Sequence, residues 1–111
     1  MERINERKFY TDILKSVFPD CCVKDSDVDS ITDGVSAFID GDTIVHIAYW
    51  KGMANRVKIC KFKLSGYDCV HVNILFEGTL PHNGEYIPDV PYLEAILKNH
   101  DSNNTNYYRL K

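Results

Sequence analysis

Two short turn signals in the middle of the chain constrain its fold more than any other sequence feature. One is Asp-Gly-Asp at 40–42, and the other is Ser-Gly at 65–66. Asp-Gly is a strong hairpin signal because both residues accept positive φ. Each signal is flanked by two segments in which apolar and polar residues alternate as they do in strands, namely 35–39, 43–50, 56–64 and 67–76. The pattern predicts two hairpins, joined by 51–55, that form a four-stranded antiparallel meander.

Helical periodicity marks both ends of the chain. Near the N-terminus, apolar residues recur at the spacing of an amphipathic helix, which Pro19 ends; they are Phe9, Tyr10, Ile13, Leu14, Val17 and Phe18. Near the C-terminus, Asp89 fits an N-cap and Pro91 fits the first turn of a helix. The apolar residues that follow share one side of that helix: Leu93, Ile96 and Leu97. We therefore predict helices at about 4–18 and 90–99, with one or both covering one face of the sheet.

The stretch 19–34 between the first helix and the sheet is rich in Asp and Ser and poor in large apolar residues. This composition predicts a loop with one helical turn at 27–32. The order helix, four strands, helix gives an α+β fold, and 111 residues fit a single domain over 1–111. Since no apolar run is long enough for a membrane span and the charged N-terminus lacks a leader pattern, we expect a cytoplasmic protein that does not enter a membrane.

The second turn signal sets the two faces of the predicted sheet. If Ser65 and Gly66 form a two-residue turn, one face carries the pairs Leu64/Tyr67, Phe62/Cys69 and Cys60/His71, and the other carries Lys63/Asp68, Lys61/Val70, Ile59/Val72 and Val57/Ile74. Both faces then hold apolar side chains. We expect the second face to be covered by C-terminal segments or offered to another molecule, a second copy of the chain included.

No motif in the sequence specifies a metal site. Asp25, Asp27, Asp29 and Asp33 match positions 1, 3, 5 and 9 of a calcium loop, but serines stand where that loop needs Gly and Glu. The soft ligand types lack the spacing of a metal site; they are His46, Cys60, Cys69 and His71. We therefore expect a solvated turn at the aspartates and no metal.

No motif specifies a reaction either. A Cys60–His71 nucleophile pair needs contact and a reactive thiol, and the glycines stand singly rather than in a phosphate loop. Cys21 and Cys22 are adjacent and the other two cysteines lie inside apolar runs, so all four are expected to be free thiols. We expect no catalytic residue, no cofactor and no enzymatic activity.

Charge segregation along the chain suggests two functions. The net charge is −3, yet 20–42 holds seven aspartates against Lys24, and 51–63 holds five basic residues and no acid. An acidic segment favours a small protein of the inhibitor or immunity type, bacterial or phage, that occupies a partner protein with a basic surface. The predicted partner-binding residues are Asp25, Asp27, Asp29, Asp33, Tyr49 and Trp50, with both rings exposed.

The alternative function is nucleic-acid binding by the basic segment. Cations on phosphates and rings under bases are the means by which a sheet binds single strands. The basic residues predicted for this role are Lys51, Arg56, Lys58, Lys61 and Lys63. The acidic pI of about 5.7 and the absence of the usual aromatic-glycine signature make it the weaker hypothesis.

Overall fold

The computed structural model describes residues 5–27, 31–65, 69–82 and 87–100. They form helix α1 (Glu6–Val17), strands β1 (Cys22–Asp27), β2 (Thr32–Phe38), β3 (Thr43–Trp50), β4 (Met53–Ser65) and β5 (Cys69–Thr79), and helix α2 (Val90–Lys98). The predicted α+β class and both predicted helices are confirmed. Within these described residues the sheet has five strands, so the prediction of four is wrong.

The strands form a meander in the order β1-β2-β3-β4-β5, and every neighbouring pair is antiparallel. The Asp-Gly signal identifies the β2–β3 hairpin correctly, but its expected backbone geometry is wrong. Among the described glycines, positive φ occurs at Gly52 (82°) and Gly78 (142°), not at Gly41. The turn is closed by a backbone hydrogen bond of 3.0 Å from the Ile39 amide to the Thr43 carbonyl, and within it Asp40 Oδ1 accepts a hydrogen bond of 3.0 Å from the amide of Asp42.

The additional strand β1 occupies part of the stretch for which the sequence predicts a loop. It pairs with β2 from Cys22 opposite Phe38 to Asp27 opposite Asp33. Because the helices cover one face of the sheet, only one side of β1 meets the core, and Val23 packs there. An edge strand tolerates Lys and Asp, which also discourage pairing with other chains. Because β1 is mostly polar, its sequence does not show the alternating pattern that predicts a strand.

The predicted register of β4 and β5 is wrong by three residues. Ser65 pairs with Cys69 and Lys63 with His71, so three residues, 66–68, connect the strands and lie outside the described part of the chain. Cys60 consequently pairs with Ile74 and not with His71. A bulge between Ile59 and Cys60 shifts the rest of the ladder by one more residue. The β3–β4 connection is also shorter than predicted, because β4 begins at Met53.

The core lies between the two helices and one face of the sheet, which we call the inner face. The helices contribute Tyr10, Ile13, Leu14, Leu93 and Leu97, and the sheet contributes Val35, Ala37, Val45, Ile47, Tyr49, Val57 and Ile59. Both helices have side-chain N-caps: Asn5 accepts from the amide of Lys8, and Asp89 accepts from that of Tyr92. The expectation that helices cover one face is confirmed. In the described part of the chain, no helix is long and apolar enough to span a membrane.

Candidate functional site

The candidate site is the outer face of the sheet, the side that points away from both helices. Strand alternation places a side chain there between each pair of core residues. Since Val45 and Ile47 belong to the core, for example, Ile44 and His46 lie on the outer face. The registers extend this face over all five strands.

An apolar belt crosses the outer face. Cross-strand pairs join Phe38 to Ile44, Ile44 to Phe62, and Phe62 to Val72. Leu64 and Val70 form the next pair on the long β4–β5 hairpin. We call these six residues the apolar belt: Phe38, Ile44, Phe62, Leu64, Val70 and Val72. None belongs to the core that the helices cover, and three are among the exposed large hydrophobic side chains, with exposures of 37% (Phe38), 48% (Leu64) and 50% (Val70).

A polar row beside the belt brings a histidine and a cysteine together. His46 pairs with Ser36 on one side and Cys60 on the other, and Ser36 Oγ lies 2.7 Å from His46 Nδ1. Burial lowers the pKa of His46 and raises that of the Cys60 thiol. The imidazole is therefore neutral and the thiol protonated near pH 7, the opposite of what a nucleophilic thiolate requires. The histidine beside Cys60 is His46 and not the predicted His71.

Cations stand over aromatic rings on the outer face. The Arg56 guanidinium lies 4.8 Å from the Trp50 ring centroid, and Lys24 Nζ lies 5.5 Å from that of Phe38. Lys58 is the third base, and its Nζ is 3.7 Å from Glu77 Oε2. We call Lys24, Arg56 and Lys58 the basic rim. Glu77 is the only carboxylate among the described side chains of this face.

The described aspartate side chains of the predicted acidic site, Asp25 and Asp33, do not lie on the outer face, and both form ion pairs with Arg7. Asp33 lies 2.6 Å and Asp25 3.4 Å from guanidinium nitrogens of Arg7 in α1, and the Tyr49 hydroxyl donates to Asp33 at 3.4 Å. Tyr49 is 2% exposed and stacks on Tyr10, so the prediction of an exposed ring at Tyr49 is wrong.

The other residues of the predicted acidic site divide between described and undescribed parts of the chain. Asp27 is described only as the β1 backbone position opposite Asp33, and Asp29 lies outside the described residues. Trp50 is half-buried on the outer face. The structure therefore does not bring Trp50 and the aspartates onto one surface.

Strand alternation divides the predicted nucleic-acid site as well. Arg56 and Lys58 belong to the outer face, whereas Lys61 and Lys63 lie on the inner side of β4. Lys61 is only 9% exposed, and its Nζ donates to the carbonyl of His100 at 3.2 Å. Lys51 lies in the β3–β4 turn. The five basic residues thus form no single stripe.

The described residues offer few other groups that could bind a metal or react. They contain no group of three or more His, Cys, Asp or Glu side chains that could hold a metal ion. Cys21, Cys22 and Cys60 are free thiols, as predicted. Sequence reasoning missed the belt because its β5 members depend on the β4–β5 register, although their apolar character was visible.

Neither a scan against protein-family models nor searches of curated proteins and of solved structures find a match to this chain.

Proposed function

We propose that this chain acts by binding another protein through the outer face of its sheet, as inhibitors and immunity proteins do, without catalysing a reaction. The apolar belt is the observation that carries the proposal. A contiguous apolar strip on the surface of a small protein typically marks an interaction site, since exposing it to water is unfavourable. Phe38, Leu64 and Val70 are each more than a third exposed in the isolated chain.

The chemistry around the belt also supports protein binding. Trp and Arg are enriched among the residues that dominate interface energies, and here Arg56 stacks on Trp50 on the same outer face, six residues along β3 from Ile44 of the belt. Both stand on paired strands, so little conformational entropy is lost when a partner docks. A rigid apolar face with cationic edges suits a tight complex better than turnover.

The acidic segment gives weaker support to the binding mechanism expected from the sequence. Asp33 and Asp25 already face the guanidinium of Arg7, which neutralises part of their field. Steering toward a basic partner would therefore rest on the remaining acidic side chains. The belt supplies a contact surface that does not depend on them.

Nucleic-acid binding is the second proposal that follows from the sequence, and the geometry favours it less. A strand lying on the outer face would meet Arg56 and Lys58 but not Lys61 or Lys63. Base stacking also needs open ring faces, whereas a cation already covers one face of Trp50 and of Phe38.

Affinity capture with the full chain as bait tests the proposal. We expect a protein from the source cell to bind wild type, and the Phe38→Ser/Leu64→Ser variant to bind the purified partner about tenfold or more weakly by calorimetry. Tyr92→Ser is the matched control, because Tyr92 is 44% exposed on α2. Equal binding by the belt variant would contradict the proposal, and retention of an oligonucleotide instead of a protein would favour the second one.

A further inference from the structure

We infer that residues 69–74 of β5, which we call the open edge, bind an extended segment of the partner protein as a sixth strand of the sheet. This inference rests on the proposed function, since the partner is the protein that occupies the outer face. It adds the mode of recognition, in which main-chain hydrogen bonds along β5 accompany side-chain contacts to the apolar belt.

The two edge strands of the sheet differ in length and charge. In the described part of the chain, β1 and β5 each have a strand on one side only. β1 has 6 residues, and its sequence includes Lys24, Asp25 and Asp27, charges of the kind that discourage pairing with other chains. β5 has 11 residues, and Glu77 is its only Asp, Glu, Lys or Arg. β5 is therefore the edge that suits another strand.

The first half of β5 is its regular part. Its ladder with β4 runs without interruption from the Ser65–Cys69 pair to the Cys60–Ile74 pair, and Leu75 is the extra residue of the bulge that follows. A bulge bends an edge strand and interrupts pairing, so a docking strand is limited to the residues before it. The open edge contains no Asp, Glu, Lys or Arg, and it has the length of a typical strand.

The hydrogen-bond directions in β4 show which main-chain groups point out from the open edge. The Leu64 amide donates to the Asp42 carbonyl at 2.8 Å, toward β3 and away from β5. In an antiparallel ladder, pairs that exchange two main-chain hydrogen bonds alternate with pairs that exchange none. The Leu64–Val70 and Phe62–Val72 pairs therefore exchange none, and the N–H and C=O groups of Val70 and Val72 point out from the sheet edge.

The same two valines join the open edge to the apolar belt. Both are members of the belt, and Val70 is 50% exposed. A protein that lies on the belt therefore reaches the open edge without a second site. An extended main chain matches the spacing of the outward donors and acceptors, and every second side chain of such a segment would continue the belt beyond Val72.

Amide hydrogen exchange of the free chain, followed by NMR, tests whether the edge is open. We expect the amides of Val70 and Val72 to exchange about tenfold or more faster than those of His71 and Asn73, which face β4. Equal protection of all four amides in dilute protein would mean that another segment of this chain occupies the edge. Protection that grows with protein concentration would mean that a second copy does. Either result would overturn the inference.

A display library of random short peptides is the probe for the docked segment. The full chain is the bait, and enriched peptides are resynthesised and measured by fluorescence polarisation. We expect apolar residues at alternate positions. Methylating every second peptide nitrogen should weaken binding about tenfold or more in one set and leave it unchanged in the other, because only alternate amides of a docked strand face β5. Equal effects of the two sets would contradict strand addition.

A proline in the open edge tests the same contact from the side of the protein. Val72→Pro removes an outward N–H that the ladder with β4 does not use, a replacement that an edge strand tolerates. It should weaken the peptides about tenfold or more. Val72→Ala is the matched control, because it shortens the same side chain, keeps the N–H and should retain most of the binding. Melting by circular dichroism checks the fold, and the methylated peptides give the answer independently if Val72→Pro does not fold.

The outcomes separate the inference from the proposed function. Peptides weakened by Phe38→Ser/Leu64→Ser, but not by Val72→Pro or by methylation, would overturn strand addition and keep the proposed function. Peptides that need the open edge but bind the belt variant as well as wild type would support strand addition and contradict binding through the belt. A selection that enriches no peptide would overturn the inference and leave the proposed function to the affinity capture.

Discussion

At the scale of single residues, the Arg7–Asp33 pair is the clearest polar contribution to stability. Asp33 has a side chain that is 14% exposed, its Oδ2 lies 2.6 Å from Arg7, and the Tyr49 hydroxyl also donates to it. Removing the cation would leave a largely buried carboxylate beside the aromatic core. We expect Arg7→Ala to lower the free energy of unfolding by about 1–3 kcal/mol in urea titrations.

The neighbouring residue provides the control for this prediction. Lys8 also forms an ion pair, with Asp12 at 2.8 Å, but their side chains are 72% and 58% exposed. Solvent screening reduces such a pair to about 0.5 kcal/mol or less, so Lys8→Ala should change stability little. Equal losses of unfolding free energy in both variants would mean that the burial of Asp33 does not strengthen its ion pair with Arg7.

His46 should make stability depend on pH in a defined direction. Burial lowers its pKa in the folded protein, while in the unfolded chain it returns to about 6.5. Between these two values the unfolded state binds more protons, so the free energy of unfolding falls as pH drops below about 6.5. The stabilisation is complete above the unfolded pKa and is lost toward the folded one.

A substitution isolates this contribution. In His46→Gln the other titrating groups are unchanged, so the difference in unfolding free energy between wild type and variant should shift in favour of the variant from about pH 7.5 to pH 5. Denaturant titrations at several pH values measure it. Parallel pH profiles would contradict a neutral, buried His46.

At the scale of elements, the β3–β4 turn depends on glycine more than the β2–β3 turn does. Gly52 has φ of 82°, and its amide donates to Glu6 Oε1 of α1 at 3.1 Å. A Cβ in this left-handed conformation costs about 1–2 kcal/mol, so Gly52→Ala should destabilise the protein by that amount in denaturant titrations.

Gly41 is the matched control within the same sheet. Its φ is not positive, and a Cβ built there meets nothing within 4 Å. Gly41→Ala should therefore leave stability unchanged or raise it by about 0.5 kcal/mol through the unfolded state. A loss at Gly41 equal to that at Gly52 would show that backbone conformation does not separate the two turns.

The elements that could be predicted from the sequence are those whose periodicity follows from burial on one side. The segment predicted at 43–50 is β3, because Val45, Ile47 and Tyr49 alternate with outward residues. Both helices could be predicted for the same reason, because their buried apolar residues recur at a period of 3.6 residues. β1 could not be predicted in this way, since one inward Val23 among polar residues carries no recognisable pattern.

The β4–β5 register limited how much of the candidate site the sequence could reveal. Because side chains alternate in strands, a slip of three residues exchanges the two faces of β5 relative to β4. A two-residue turn at Ser65-Gly66 puts Val70 and Val72 on the face of Lys61 and Ile59, but they lie with Leu64 and Phe62. The apolar excess on a second face was foreseeable, whereas the belt was not, because it depends on a three-residue connection that Ser65-Gly66 does not specify.

At the scale of the whole molecule, the sheet separates two environments of different charge. On the inner side, Arg7 joins aspartates of β1 and β2, and the helices cover the core. On the outer side, the belt and the basic rim face away from the helices. The described strand side chains of this face carry more bases than acids, and we expect that excess to oppose pairing of the face with itself.

The salt dependence of self-association tests whether charge repulsion between basic rims prevents pairing through the apolar belt. At about 50 mM salt the repulsion between basic rims acts over more than 10 Å, whereas at about 500 mM it is largely screened and the apolar belt can dominate. Sedimentation velocity should therefore find monomers at low salt and growing association at high salt.

Two variants separate the forces in that experiment. Lys24→Gln/Arg56→Gln should associate already at low salt because the repulsion is removed, and Phe38→Ser/Leu64→Ser should stay monomeric at both salt concentrations because the attraction is removed. A wild-type dimer at low salt that weakens as salt rises would require attractive charges across the interface. A second copy of the chain, meeting the outer face through its own acidic surface, would then replace an unrelated protein as the occupant.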